Sequence, residues 1–250
     1  MIFTIAGYEL RRLFLSPLAW TLMAVVQFIL AWVFLILVEE FSRHRSDWLG
    51  VPGAPGVTDL VAAPFLRVAA WLLLLLIPLL SMRLFSEERR HHTLELLLAA
   101  PLAVYQIVLG KYLGLLGFLC ILLVLIVALP LSLLFGGALD GGKLLAGALG
   151  LFLLAGSFAA AGLYLSTLTA QPAVAAVATF GLLLLLWIID AAGASGEDSG
   201  ALFAYLSLFR HYQALLMGLF NSADVAYYLL FSGAFLGLAV RRLDNQRLQH

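Results

Sequence analysis

Charge is scarce in this chain of 250 residues, because only 11% of them are Asp, Glu, Lys or Arg. Soluble domains carry about 25% charged residues. Hydrophobic residues make up 64% of the chain and its mean hydropathy is +1.06. The 14 basic and 14 acidic residues cancel, so no positive surplus points to nucleic acid. The composition excludes an ordinary soluble domain and indicates a membrane protein.

Cysteine is nearly absent, and the motifs for metals and nucleotides are incomplete. The single cysteine, Cys120, can form no internal disulfide, and its apolar surroundings predict a small packing residue. His91 and His92 point about 100° apart on a helix, with no carboxylate or cysteine spaced to complete a metal shell. The stretch "GALDGGK", residues 137–143, begins like a phosphate-binding loop, but Leu144 stands where the hydroxyl should be. We expect no catalytic residue, metal or cofactor in this chain.

Long apolar runs are plentiful and predict an all-α polytopic membrane protein with six transmembrane helices. At about 1.5 Å per residue, some 20 apolar residues cross a hydrocarbon core of about 30 Å. The predicted spans are residues 18–38, 65–84, 107–135, 144–168, 172–189 and 225–240. Residues 39–64 and 191–200 read as loops on one side. Residues 201–220 hold two apolar halves too short to span, which predicts outer interfacial or re-entrant helices.

Basic residues are distributed unevenly between the two sides of these spans. Nine of the 14 lie on the side of both termini, whereas nine of the 14 acidic residues lie on the opposite side. The positive-inside rule therefore predicts that both termini are cytoplasmic. The spans contain no central acid, histidine or lysine, and Gln27 is their polar exception. Because ion-coupled carriers usually place ionisable groups there, this absence argues against a secondary transporter.

The cytoplasmic loop between spans 2 and 3 is highly charged. It reads "FSEERRHHTLELLLAAPL" over residues 85–102. Ser86 predicts an N-cap, and the acidic pair behind it suits the positive start of a helix. Leucines spaced i, i+3 and i+4 from Leu94 form one apolar stripe, and Pro101 ends the helix. We therefore predict a short amphipathic helix over residues 86–100 that presents its charges to a protein partner.

The N-terminal segment has the same character. Residues 1–15, "MIFTIAGYELRRLFL", mix apolar side chains with Glu9, Arg11 and Arg12 before the first span begins. Such a pattern is typical of an amphipathic helix lying in the lipid interface. We therefore predict a second interfacial helix on the same side of the membrane.

These charged segments resemble a known family. The stretch "SEERRHHTLELLLAAPLAVYQIVLGKYLG", residues 86–114, is similar to the signature loop of ABC-2-type permeases, membrane subunits of one class of ATP-binding-cassette transporters. The segments "GYELRRLFLSPLAW", residues 7–20, and "NSADVAYYLL", residues 221–230, are most similar to the GldF-type branch. A more distant resemblance is to permeases of the nitrous-oxide-reductase maturation type. The chain departs from the family pattern at His92, where glycine often precedes the threonine.

The resemblance implies a multi-pass subunit of the bacterial cytoplasmic (inner) membrane. It implies a homodimer of this chain on two copies of a separate cytoplasmic ATPase, which would bind the ATP and Mg²⁺. Residues 86–100 would then be the coupling helix that docks on the ATPase. The implied contact residues are Glu87, Glu88, Thr93, Leu94, Glu95 and Leu97, with Pro101 fixing the exit from the helix. Residues of the N-terminal helix, Glu9, Arg11 and Arg12, would form a second contact. A GldG-like auxiliary protein with an outside domain is a further candidate partner.

Three functions are compatible with the sequence. The first is a permease subunit that exports a substrate. The second is a mechanical transmitter, in which the same ATPase drives an outside or membrane partner and no solute crosses. The third is a membrane scaffold without transport. An adjacent reading frame for an ATPase would favour the first two, and one for an outside-domain protein would favour the second.

Overall fold

The computed structural model describes residues 1–48, 56–99, 102–135, 139–193 and 207–247, and these ranges contain helices and turns but no strand. The helices are α1 Ile2–Leu15, α2 Pro17–Trp48, α3 Ala63–Ser81, α4 Arg83–Arg90, α5 Thr93–Ala99, α6 Val104–Leu131, α7 Gly141–Leu168, α8 Pro172–Gly193, α9 Leu208–Leu216 and α10 Ser222–Arg247. A π-helical turn, Thr58–Ala62, leads into α3, and a 3₁₀ turn, Ser132–Phe135, follows α6. The predicted all-α class is therefore confirmed.

Five helical segments are long and apolar enough to cross a membrane. They are Pro17–His44, Thr58–Arg90, Val104–Leu134, Gly141–Leu168 and Ser222–Arg247. The predicted span 172–189 falls in α8, whose apolar stretch Pro172–Ile188 is shorter than these five. A polytopic membrane protein is thus confirmed, while the sixth span stays a prediction.

Helix α7 lies at the centre of the bundle and contacts α3, α4, α6, α8, α9 and α10. Its glycines explain how α9 can approach so closely. A Cβ on Gly150 would lie 3.0 Å from the Leu215 side chain, and one on Gly147 would lie 3.4 Å from that of Leu216. Five of the nine residues of α9 are buried, and Tyr212 Oη donates to the Leu66 carbonyl at 2.9 Å. The predicted segment 201–220, described here from residue 207, is therefore packed into the bundle.

The two ends of the bundle are distinguished by the contacts that close them. At one end, called the α1 end, α1, α4 and α5 border one groove, and Arg247 of α10 donates to the Leu102 carbonyl at 3.1 Å. At the other, called the distal end, Asp140 caps α7 by accepting from the Gly142 and Lys143 amides. The Asp140 amide in turn donates to Thr58 Oγ1 at 2.8 Å. This turn is the segment that resembled a phosphate-binding loop, of which residues 137–138 lie outside the described part.

Two details differ from the sequence-based predictions. Helix α2 continues to Trp48, ten residues past the predicted span end at 38, so part of the predicted loop 39–64 is helical. A salt bridge between Arg43 and Glu39, 2.6 Å long and one turn apart, supports this extension. Cys120 is exposed on the bundle surface. The predicted packing role is therefore not found within this chain, because an apolar run on all sides of a helix does not identify which face is buried.

Candidate functional site

Glycines on α6 place α1 directly against it. A Cβ on Gly110 would lie 2.7 Å from Ile5 Cβ, and a Cβ on Gly114 would lie 2.7 Å from Glu9 Cβ. These distances are shorter than real side chains tolerate, so the backbone of α1 occupies space that any larger residue would need. The Gly110/Gly114 spacing thus acts in packing within the chain, whereas nothing lies within 4 Å of a Cβ on Gly233 or Gly237.

This close approach brings Lys111 between two carboxylates. Lys111 is 1% exposed, and its ammonium group donates to Glu9 Oε1 of α1 and, at 2.6 Å, to Glu88 Oε1 of α4. The Phe85 ring lies below the same group, with its centroid 5.2 Å from Nζ. One buried cation therefore joins three helices that are distant in sequence.

Arg12 extends the cluster toward the surface. Its Nη2 donates to Glu87 Oε2 at 2.9 Å, and its Nη1 lies 3.8 Å from Glu88 Oε1. We call Glu9, Arg12, Glu87, Glu88 and Lys111 the charged junction. Its three carboxylates face two cations, and Glu88 Oε2 is buried with no hydrogen-bond partner among the described residues. Buried charges are tolerated when they are paired, and removing one partner is costly.

The predicted helix 86–100 is divided in two. Helix α4 ends at Arg90 and α5 begins at Thr93, with His91 and His92 forming the turn between them. Ser86 is not an N-cap, because it lies inside α4, fully buried, where its hydroxyl donates to the Ser166 carbonyl of α7 at 3.0 Å. The prediction failed because the helical backbone continues from α3 through Met82, whose amide donates to the Pro78 carbonyl at 3.0 Å, so no helix begins at the acidic pair.

His92 explains the break. It has φ +56°, and it is the one described residue other than glycine with a positive φ. Glycine adopts this left-handed conformation without a steric penalty, whereas another residue is strained there by on the order of 1 kcal/mol. The glycine that the family often has at this place therefore matches a backbone requirement, which histidine satisfies here at a cost.

The structure divides the sequence-predicted site residues into three groups. Glu9, Arg12, Glu87 and Glu88 meet in the charged junction. Leu94 is only 6% exposed and packs into the core of the chain. The remaining described residues are exposed or partly exposed, namely Arg11, Thr93, Glu95 and Leu97. Pro101 lies outside the described residues.

A groove of about 580 Å³ borders these exposed residues. It is lined by Tyr8 and Arg12 of α1, by Glu87 and Glu88 of α4, by His91 of the turn, and by Thr93, Leu96 and Leu97 of α5. Thr93 Oγ1 donates to the Glu88 carbonyl at 3.2 Å and so ties the start of α5 to the charged junction. Two residues that sequence reasoning did not select stand out here: Lys111, which holds the junction, and Leu96, which is 74% exposed.

Comparison with known proteins adds one match. A family model described as "ABC-2 family transporter protein" matches residues 4–244, which is nearly the whole chain and includes every residue of the charged junction. A search of curated proteins gives no match. Among the described residues, no three or more His, Cys, Asp or Glu side chains are grouped so that they could hold a metal ion.

Proposed function

The chain belongs to the ABC-2 family of transporter proteins, and from this we propose that it is the membrane-spanning permease subunit of an ATP-binding-cassette transporter. A separate cytoplasmic ATPase would bind ATP and Mg²⁺ and drive it through α4 and α5. The single observation that carries the proposed coupling route is the charged junction, because it joins α4, which precedes α5, to α1 and α6. The chain itself would not be an enzyme.

The charged junction is suited to transmit force. Lys111 is bonded to carboxylates on two other helices, and pulling either carboxylate away would leave a buried charge unpaired. A displacement of α4 is therefore expected to carry α1 and α6 with it. Ser86, bonded to the Ser166 carbonyl, links the same helix to the centre of the bundle. Rigid links of this kind allow a small movement at one site to bias two packings of a bundle.

The docking surface that we propose is the exposed face of α5 with the neighbouring groove. Glu95 is exposed and forms no salt bridge with any described residue, and Leu96 presents an apolar side chain beside it. Leu94 would anchor α5 to the bundle and not touch the ATPase. A partner surface with a basic residue opposite Glu95 and an apolar pocket for Leu96 would be complementary to this face in charge and in polarity.

The remaining features of the proposal follow from the family and from the charge distribution. Both termini would be cytoplasmic in a bacterial inner membrane, α8 would be the sixth span, and two copies of the chain would sit on two ATPase copies. Transport would be outward. Assignment to the GldF-type branch, with a GldG-like auxiliary protein, rests on the sequence resemblance.

Site-specific photo-crosslinking in the full chain tests the docking surface. A photoreactive residue in place of Leu96 should capture a protein of the ATP-binding-cassette ATPase class, identified by mass spectrometry, in membranes of the source cell. The control is the same residue in place of Trp32, which is 64% exposed on α2 and should contact lipid. Capture of the ATPase at both positions, or at neither, would contradict the proposal.

Charge reversal in the purified complex provides the functional readout. Glu95→Arg should weaken the apparent affinity of the ATPase for the chain by roughly tenfold or more, because like charges at an interface cost several kcal/mol. Asp244→Arg is the matched control, since Asp244 is exposed at the α1 end and forms no described salt bridge. If the Glu95→Arg variant stimulated the ATPase as strongly as the wild type does, α5 would not be part of the contact that couples the two proteins.

A further inference from the structure

A second cavity at the α1 end is basic on one wall and apolar on the other. Its volume is about 970 Å³, and it lies between the α3–α4 segment and the turn that joins α7 to α8. The basic wall carries Arg83, Arg89 and Arg90 together with the two histidines of the turn. The apolar wall includes Ala173, Ala176 and Val177 of α8. We call this cavity the basic pocket.

The positive charge of the basic pocket is not neutralised by the described part of the chain. Among the described residues, none of the three arginines of the pocket forms a salt bridge or a side-chain hydrogen bond. The eight salt bridges of the described residues all involve other cationic side chains. The one carboxylate in the lining, Glu87, is bonded to Arg12. Partial burial disfavours the charge of Arg89, and Arg242 of α10 adds repulsion between like charges. An anion is the ligand that would relieve this repulsion.

The apolar wall leads from the basic pocket onto the outside of the bundle. Helix α8 begins at Pro172, and its first turn lines the pocket, so its free amide groups add to the attraction for an anion. On the same helix, Val174 and Val177 are 50% and 71% exposed. A ligand with a charged head and an apolar tail could therefore place the head against the arginines and the tail along α8.

We propose that the basic pocket binds the anionic phosphate headgroup of a membrane phospholipid, with an acyl chain against the exposed face of α8. Guanidinium groups bind phosphate oxygens in bidentate geometry, and basic pockets between membrane helices bind anionic headgroups. The site requires the membrane surface to reach the first turn of α8. Lipid binding at this site does not require the ATPase to dock, so the proposal can be tested independently of the proposed function.

Native mass spectrometry of the purified full chain tests this site. The probes are phosphatidylglycerol and phosphatidylcholine with identical acyl chains. Arg89→Ala/Arg90→Ala should bind phosphatidylglycerol about thirty-fold more weakly than wild type, since each arginine near the headgroups contributes about five- to sixfold. The control, Arg67→Ala/Arg210→Ala, removes the same number of charges from two exposed arginines at the distal end and should stay within about twofold of wild type.

Three results would overturn the proposal. Equal binding of the two lipids by the wild type would show that headgroup charge is not recognised. Equal weakening in both double variants would assign the effect to net charge alone. Displacement of phosphatidylglycerol by an equal concentration of inorganic phosphate would reduce the pocket to a simple anion site. If the double variant is not recovered folded, the single change Arg90→Glu, at an exposed position, should give the same loss of phosphatidylglycerol binding.

Discussion

The chain has two lysines, and they lie in opposite surroundings at the two ends of the bundle. At the α1 end, the Lys111 side chain is 2% exposed and bonded to carboxylates from two other helices. At the distal end, the Lys143 side chain is 35% exposed and bonded to one carboxylate, Asp59, at 3.0 and 3.2 Å. Both pairs connect distant parts of the sequence, yet only the first is shielded from water.

The difference in burial implies that the ion pairs of Lys111 stay formed, whereas the Lys143–Asp59 pair can open. A buried ion cannot leave its partners without a large loss of free energy, whereas an exposed ion exchanges its partner for water at little cost. The α1 end is therefore built to move as one body. The distal end is closed mainly by packing of α9 and by hydrogen bonds such as Tyr212 to the Leu66 carbonyl. We expect the two ends to respond very differently to the same substitution.

The largest effect is expected from Lys111→Met. The change keeps the apolar stem but leaves Glu9 and Glu88 facing each other in a buried site without their cation. Breaking a buried pair in this way costs about 3–5 kcal/mol. The free energy of unfolding, measured by titration with sodium dodecyl sulfate in mixed micelles, should fall by that amount.

The control removes all three charges together. Glu9→Met and Glu88→Met added to Lys111→Met leave no unpaired ion in the site, and apolar replacement of a whole buried cluster is often close to neutral. The triple variant should therefore recover most of the lost stability. If the triple variant were as unstable as Lys111→Met alone, packing of the side chains, and not charge, would hold the α1 end together.

A smaller effect is expected where α1 rests on α6. A Cβ at Gly114 would lie 2.9 Å from the Ala6 carbonyl oxygen, so Gly114→Ala should force α1 away and cost about 1–3 kcal/mol of folding stability. One turn along, a Cβ at Gly117 would meet only the Leu10 side chain at 3.5 Å, an ordinary contact. Gly117→Ala should stabilise the chain by up to about 1 kcal/mol, because alanine favours helix more than glycine does.

The same pair of variants tests whether α1 packs against α6 in the folded chain. Thermal unfolding in detergent compares them directly, since the substitution and the helix are identical. If both variants gained stability, α1 would not be held against α6 in the folded chain. The charged junction would then lose the geometry that brings Glu9 to Lys111.

The helices of this chain were largely predictable from sequence, because apolar runs of the required length have few alternatives in a membrane. Their ends were less so. The predicted span end at 38 relied on the loss of apolar residues, whereas the helix continues to Trp48 with the Glu39–Arg43 pair on its surface. The predicted helix 86–100 is divided at His92, whose φ is positive. The sequence signal for this division was the position itself, where the family often has glycine.

The charged junction was predictable only in part. Sequence reasoning selected Glu9, Arg12, Glu87 and Glu88 but placed all four in contact with a partner. Lys111 entered that reasoning only as one of the nine basic residues on the side of the termini. The lysine lies 102 residues from Glu9 and 23 from Glu88, and amphipathic spacing describes only neighbours within one helix. The Gly110/Gly114 spacing was the available signal, since it marks where another backbone can approach and bury a charge between helices.

The smallest effect is expected from Lys143→Met, which completes the comparison. Methionine keeps the stem that lies over Gly218, a residue whose φ of +81° depends on having no side chain. Only the ion pair with Asp59 is lost, and exposed pairs contribute about 0.2–1 kcal/mol. A double-mutant cycle with Asp59→Asn isolates that coupling energy, and it should shrink further in 1 M salt, where charges are screened within about 3 Å. A coupling energy as large as that at Lys111 would mean that the distal end is also locked by charge, and the contrast between the two ends would then lie in packing alone.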